Sequence, residues 1–135
     1  MNEVSINYHD ALDRVEAQMH EIGLVEFETS GFFCGGMYVR TVFVPKGSYL
    51  TSLVHKTDHP FVLSSGILVI YTEDGEQRIE APHIDITLIG TRRFAFAETD
   101  VLFTTIHRTD HTNETDVEAE VVYRRENKYL KEIHA

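Results

Sequence analysis

The chain has 135 residues, 42% of them hydrophobic and 25% charged, which fits one ordinary domain able to bury a core. Its formal net charge of −10 excludes a general nucleic-acid binder, whose affinity would come from phosphate neutralisation by Lys and Arg. No apolar run approaches the roughly 20 residues of a membrane helix, and the acidic N-terminus lacks a secretory pattern, so no membrane association and a cytoplasmic location are expected.

Residues 1–24 read as a helical extension. Leu12, Val15, Met19 and Ile22 recur at spacings of three and four, Asp10 is a candidate N-cap, and Gly23 falls at the C-terminal stop. The apolar stripe needs a partner, either the outside of a sheet or another subunit. From about Phe27 the period changes to two. Phe32-Phe-Cys-Gly-Gly36 carries the single cysteine, Cys34, which excludes an internal disulfide and reads as a buried structural thiol.

Tyr38 to Val44 is a strand ending at the turn signal Pro45-Lys-Gly47. Strands follow at Tyr49 to His55, Phe61 to Leu63, Ile67 to Thr72, Gln77 to Glu80, Ile84 to Leu88, Phe94 to Ala97 and Val101 to His107. Asp74-Gly75 marks a hairpin. Short strands with turns every eight to twelve residues and no helix between them define an all-β sandwich or barrel over 27–108, most simply a jelly roll. Residues 114–135 form the tail. A capping-box pattern at Thr115 to Glu118, followed by Val117 and Val121, favours a helix over an edge strand at Ala119 to Tyr123.

The stretch His55-Lys-Thr-Asp-His59-Pro-Phe-Val-Leu-Ser-Ser-Gly66 places two imidazoles at a strand junction, and imidazole is a common metal ligand. Alternation along Val101 to His107 puts Phe103, Thr105 and His107 on one face. With that face inward, His107 completes a three-histidine site leaving open positions for water or substrate. Arg92 and Arg93 follow Gly90, and strand alternation lets only one of them face inside. With Arg93 inward the pocket suits a carboxylate, a phosphate or a sugar acid; the competing expectation is two surface arginines paired with acids. Tyr49, Thr51 and Phe61 are the expected pocket neighbours. His83 and His111 fall in predicted loops, and His9, His20 and His134 in terminal segments. No phosphate loop or nucleophile elbow is present.

These residues resemble the cupin superfamily. Gly47, then His55, His59 and Gly66, follow the spacing of the family's first motif, with His59 at the glutamate position and Leu53 at the first histidine position. Leu88-Ile-Gly90-Thr-Arg-Arg93 matches the second motif in outline, with Arg93 in place of a metal-binding histidine. The chain is also similar to small cupin-like proteins encoded by bacteriophages, which carry a comparable His-x-Thr-Asp/Glu-His, Gly-Thr-Arg-Arg and Thr-Thr-x-His pattern.

The resemblance implies a double-stranded β-helix with helical ends. It also implies a divalent metal (zinc, iron, manganese or nickel) at His55 and His59, to which strand alternation adds His107. Arg93, Tyr49, Thr51, Phe61 and Thr105 would then meet a small anionic ligand. The alternatives are a non-catalytic binder of a nucleotide or sugar phosphate, and a phage accessory or structural protein without metal, placed in the host cytoplasm. A homo-oligomer, dimer or higher, is expected from sheet edges, swapped termini or the helix stripe.

Overall fold

The computed structural model describes residues 3–23, 27–123 and 127–129, and side chains from Tyr8 onward. The N-terminal helix α1 spans Glu3–Ile22. Its start lies ahead of Asp10, which therefore sits inside the helix and is not its N-cap. Gly23 does close it, with a positive φ of 116° and its N–H donating to the Met19 carbonyl at 3.0 Å.

Among the described residues eleven strands follow: β1 Thr29–Cys34, β2 Met37–Val44, β3 Tyr49–Thr51, β4 Val54–His55, β5 His59–Ser65, β6 Ile67–Thr72, β7 Gly75–Glu80, β8 His83–Thr87, β9 Phe94–Ala97, β10 Val101–Arg108 and, after helix α2 (Glu114–Val121), β11 Val122–Tyr123. They form an antiparallel five-stranded sheet, β1-β2-β10-β5-β8, and a four-stranded sheet, β3-β9-β6-β7. A two-stranded ladder joins β11 to β4. Two antiparallel sheets closing on one core, with a helix at each end, make a jelly roll.

The core is the alternation expected of half-buried strands. Val44, Phe61, Leu63, Leu68, Ile70, Ile79, Ala95, Ala97 and Val101 meet between the sheets. Gly66 has φ +93°, and a Cβ there would collide with the Asp100 carbonyl oxygen, so this turn requires glycine. The other phase of the five-stranded sheet points away from the core: Ile84 and Ile86 on β8, Pro60 and Val62 on β5, Leu102, Thr104 and Ile106 on β10, Val39 and Thr41 on β2, Phe32 on β1.

Several local expectations change. The predicted strand Tyr49 to His55 is interrupted at Ser52-Leu53, because Ser52 turns to bond Arg93: its N–H donates to the Arg93 carbonyl at 2.9 Å and its Oγ accepts from the Arg93 N–H at 2.8 Å. Cys34 is exposed at the end of the β1–β2 hairpin, not buried. His83 opens β8 opposite Leu63 instead of lying in a loop.

The tail contains both elements weighed for it. Asn113, not Thr115, caps α2, accepting from the Asp116 N–H at 3.0 Å, and the chain then extends into β11. Asn127 and Tyr129 pack back on α1. Residues 124–126 and 130–135, with His134, lie outside the described residues.

The helix stripe packs on its own chain and carries charge with it. Leu12 and Ala17 are buried, and so are Asp13 and Glu16, whereas Ile22 is 87% exposed. Both carboxylates reach Arg92, itself 3% exposed: Nη1 donates to Asp13 Oδ1 at 2.7 Å and Nη2 to Glu16 Oε2 at 2.9 Å. Tyr8 Oη donates to the Arg92 carbonyl at 2.5 Å and lies 3.0 Å from the Tyr71 carbonyl, and burial pushes its pKa up to about 12. Arg92 is thus a buried clamp under α1. Among the described residues no helix is long and apolar enough to cross a membrane.

Candidate functional site

Between the sheets, one end of the roll opens into a cavity of about 590 Å³. Five elements build its polar wall. The β4 stub supplies His55, held by reciprocal backbone bonds: the His55 N–H donates to the Thr91 carbonyl at 3.0 Å, and the Gly90 N–H to the His55 carbonyl at 2.7 Å. The first residue of β5 supplies His59, opposite Thr87 of β8. Near the end of β10 comes His107, paired in register with Tyr38. Arg93 enters from the segment before β9, anchored by Ser52. Helix α2 covers the mouth with Val117, Val121, Glu114 and Glu118.

The three histidines form a row. Ring centroids lie 5.0 Å apart for His55 and His59, and 4.3 Å for His59 and His107. One nitrogen of each ring is buried without a hydrogen-bond partner: His55 Nδ1, His59 Nε2 and His107 Nδ1. The opposite nitrogens are held in two cases. His59 Nδ1 lies 3.3 Å from the Thr57 carbonyl, and His107 Nε2 lies 2.9 Å from Thr105 Oγ1. The Thr57 contact makes Nδ1 the protonated nitrogen of a neutral His59, leaving a lone pair on Nε2.

Burial is the main reason these rings stay neutral. It pulls the His55 pKa down to about 4, helped by His59, Arg93 and His107. His107 falls to about 4 by burial, then by His59 and Arg40. Burial also lowers His59, opposed by the Thr57 carbonyl and reinforced by Arg93. Arg93 stacks over the Phe61 ring at 5.0 Å, and its Nε is buried with no acceptor. Desolvation lowers its pKa, while the Asp85 carboxylate raises it.

The sequence-predicted residues separate accordingly. His55, His59, His107, Arg93, Thr51 and Thr105 line one cavity, together with Leu53 and Phe103. Phe61 lies in the core beneath Arg93. Tyr49 is elsewhere: half-exposed, stacked on Phe94 and tilted against Phe96, it lines a separate groove between α1 and β3. The expectation that both arginines lie on the surface fails, since Arg93 faces the cavity and Arg92 is sealed under α1. Of the remaining histidines, His83 sits 3.6 Å from Asp85, His111 3.2 Å from Glu120 and His9 3.7 Å from Glu73.

Four contributors went unmarked in the sequence. Arg40 and Thr87 share the inward phase with Tyr38 and His59, so alternation alone would have found them. Glu114 and Glu118 had no such signal, because α2 reaches the mouth only through tertiary packing. Glu114 accepts a short hydrogen bond from Tyr38 Oη, which fixes the helix to β2. With desolvation as the first cause, that contact pushes the Tyr38 pKa up to about 12.

The donor chemistry of the three imidazoles suits a divalent metal. Their arrangement does not: among the described residues no three His, Cys, Asp or Glu side chains are grouped to hold a metal ion. The guanidinium of Arg93 adds positive charge to the same cavity, which disfavours a bare dication.

No protein-family model matches the chain, and no curated protein matches it. Solved structures do. Ectoine synthase from P. lautus aligns with a TM-score of 0.59 at 9% identity, covering 77% of this chain and 79% of that one. A cupin superfamily protein from Desulfitobacterium hafniense aligns at 0.54 and 10% identity, covering 70% and 87%. A cupin-2 domain containing protein from Shewanella frigidimarina aligns at 0.52 and 14%, covering 67% and 89%. The chain therefore has the cupin jelly-roll fold, as its histidine and glycine spacing led us to expect. At these identities the likeness speaks for the fold.

Proposed function

We propose that this small cupin-fold protein binds a small organic anion in the histidine pocket, with Arg93 holding the carboxylate or phosphate. One observation carries this reading: a half-buried guanidinium in the cavity whose Nε is shielded from solvent and has no acceptor. A buried cation is stabilised only by a hydrogen-bonded counter-charge, and an anionic ligand would complete it. The neutral imidazoles of His55, His59 and His107 add donors and acceptors without competing charge. Phe103, Leu68 and Ile70 give the ligand's body an apolar wall, and the volume suits a small molecule. Sugar phosphates, nucleotides and short carboxylic acids are the classes that fit, and the chain would bind them in the cytoplasm, the host's if it is phage-encoded.

A thermal-shift series with those anions, run with and without chelator, tests the proposal. We expect at least one class to raise the melting temperature with chelator present. Arg93→Met should weaken its binding by ~10–100-fold, the loss of a charge-assisted hydrogen bond worth roughly 1.5–3 kcal/mol. No stabilisation by any class, or equal binding by the variant, would overturn the proposal.

The open nitrogens of the three rings support a second reading, in which a divalent metal joins the site after the side chains regroup. Its mark would be a chelator-reversible rise in melting temperature with zinc, iron, manganese or nickel, lost in His59→Ala. Metal-free protein that ignores all four ions would remove it.

A further inference from the structure

The outer face of the five-stranded sheet is almost free of charge, in a chain with 22 Asp and Glu and 12 Lys and Arg. Ile84 is 71% exposed, Ile86 57% and Phe32 59%, and Val62, Ile106 and Val39 continue the surface between them. Arg108, at one corner, is the only charged residue at an outward position of the five strands. In the middle, the hydroxyls of Thr41 and Thr104 lie 2.7 Å apart and hydrogen-bond to each other, so each oxygen keeps a partner when the face is covered.

We propose that this face binds a second copy of the chain, sheet against sheet, about a two-fold axis. A self-complementary apolar surface meets an identical one in such a contact, and two aligned sheets pack about 10 Å apart. Charge favours a contact here: two chains of net charge −10 repel each other overall, and a neutral patch adds no local repulsion to that.

The area is adequate too. Five strands of five to eight residues, at ~4.8 Å spacing and ~3.4 Å rise, give a projected face of roughly 550 Å², and its corrugated accessible area approaches the ~800 Å² per partner of a stable interface. Leu88 and Ile89, exposed just beyond β8, extend it. An uncovered apolar patch of this size is unusual on a monomer. The helix stripe, by contrast, is already used within the chain.

Sedimentation velocity of the full chain, with circular dichroism as the folding control, tests the contact. Wild type should sediment as a dimer, and Ile84→Glu with Ile86→Glu should halve the mass with the spectrum unchanged. Phe32→Glu, at the opposite edge of the same face, should do the same and stands in should the double variant fail to fold. Ile22→Glu, on the exposed end of α1, should remain dimeric. A monomeric wild type would leave the face to another partner and overturn the proposal. So would a dimer indifferent to both face variants, or one broken only by Ile22→Glu.

Discussion

Arg92→Ala is expected to lower the free energy of unfolding by about 3–5 kcal/mol, the range for removing one partner of a buried ion cluster. The guanidinium is 3% exposed and bonds two carboxylates contributed from a distant part of the chain. Without it Asp13 and Glu16 keep the full desolvation penalty of buried carboxylates and lose their nearest cation. Both carboxylates are largely buried while α1 stays docked, so the helix itself should loosen.

Urea unfolding measures the effect. The companion Arg92→Met, Asp13→Leu, Glu16→Leu triple variant decides its cause. If desolvated charge is the source of the loss, the apolar triple should recover most of it. If Arg92 serves through its methylene stem and packing alone, Arg92→Met by itself would be near neutral.

Arg92 also shows where local pattern stops. Alternation of Arg92 and Arg93 implies opposite faces, which is what the structure has, but it gives no reason for Arg92 to be sealed from solvent. The reason lies 76 and 79 residues away along the chain, in Glu16 and Asp13. Those acids interrupt the expected Leu12-Val15-Met19-Ile22 stripe at positions a hydropathy pattern scores as solvent-facing. Charge complementarity between distant segments leaves no periodic trace in a single sequence.

The sheets were legible for the opposite reason. Their period of two is local, and the turns at Pro45-Lys-Gly47 and Asp74-Gly75 punctuate it. In β10 that period also separates Phe103, Thr105 and His107 from the outward residues, and all three line the cavity. The same logic misplaces Tyr49, because it assumes an unbroken strand to His55. At the break the Ser52 hydroxyl, a side-chain group, takes the Arg93 N–H, a tertiary contact that alternation does not register. Helix α2 illustrates a third limit: its capping residue Asn113 lies two positions before the Thr115 pattern, and its role as the cavity's cover depends on Tyr38 and Glu114 meeting across the fold.

Acid should unfold this protein through its histidines well before its carboxylates titrate. In the unfolded chain each imidazole has a pKa near 6.5. Burial takes His55 and His107 to about 4 in the native state and lowers His59 as well. Between pH 6.5 and 4 the unfolded chain therefore binds protons that the native chain refuses, and stability rises with pH across that window. The contribution is fully present above 6.5 and is lost as the pH falls toward 4. With partial solvent access allowed for, the pair should account for about 2–4 kcal/mol.

Denaturation midpoints at stepped pH give the slope directly. The double substitution His55→Gln, His107→Gln keeps a polar side chain but cannot titrate, so it should flatten the profile between pH 4 and 6.5 while leaving the acid limb below 4. A ligand anion on Arg93 would oppose this destabilisation, since negative charge beside the rings makes their protonation in the native state easier. The acid limb of the wild type should then shift to lower pH when the anion is present. An unchanged profile in the double variant would show that other groups drive the acid transition.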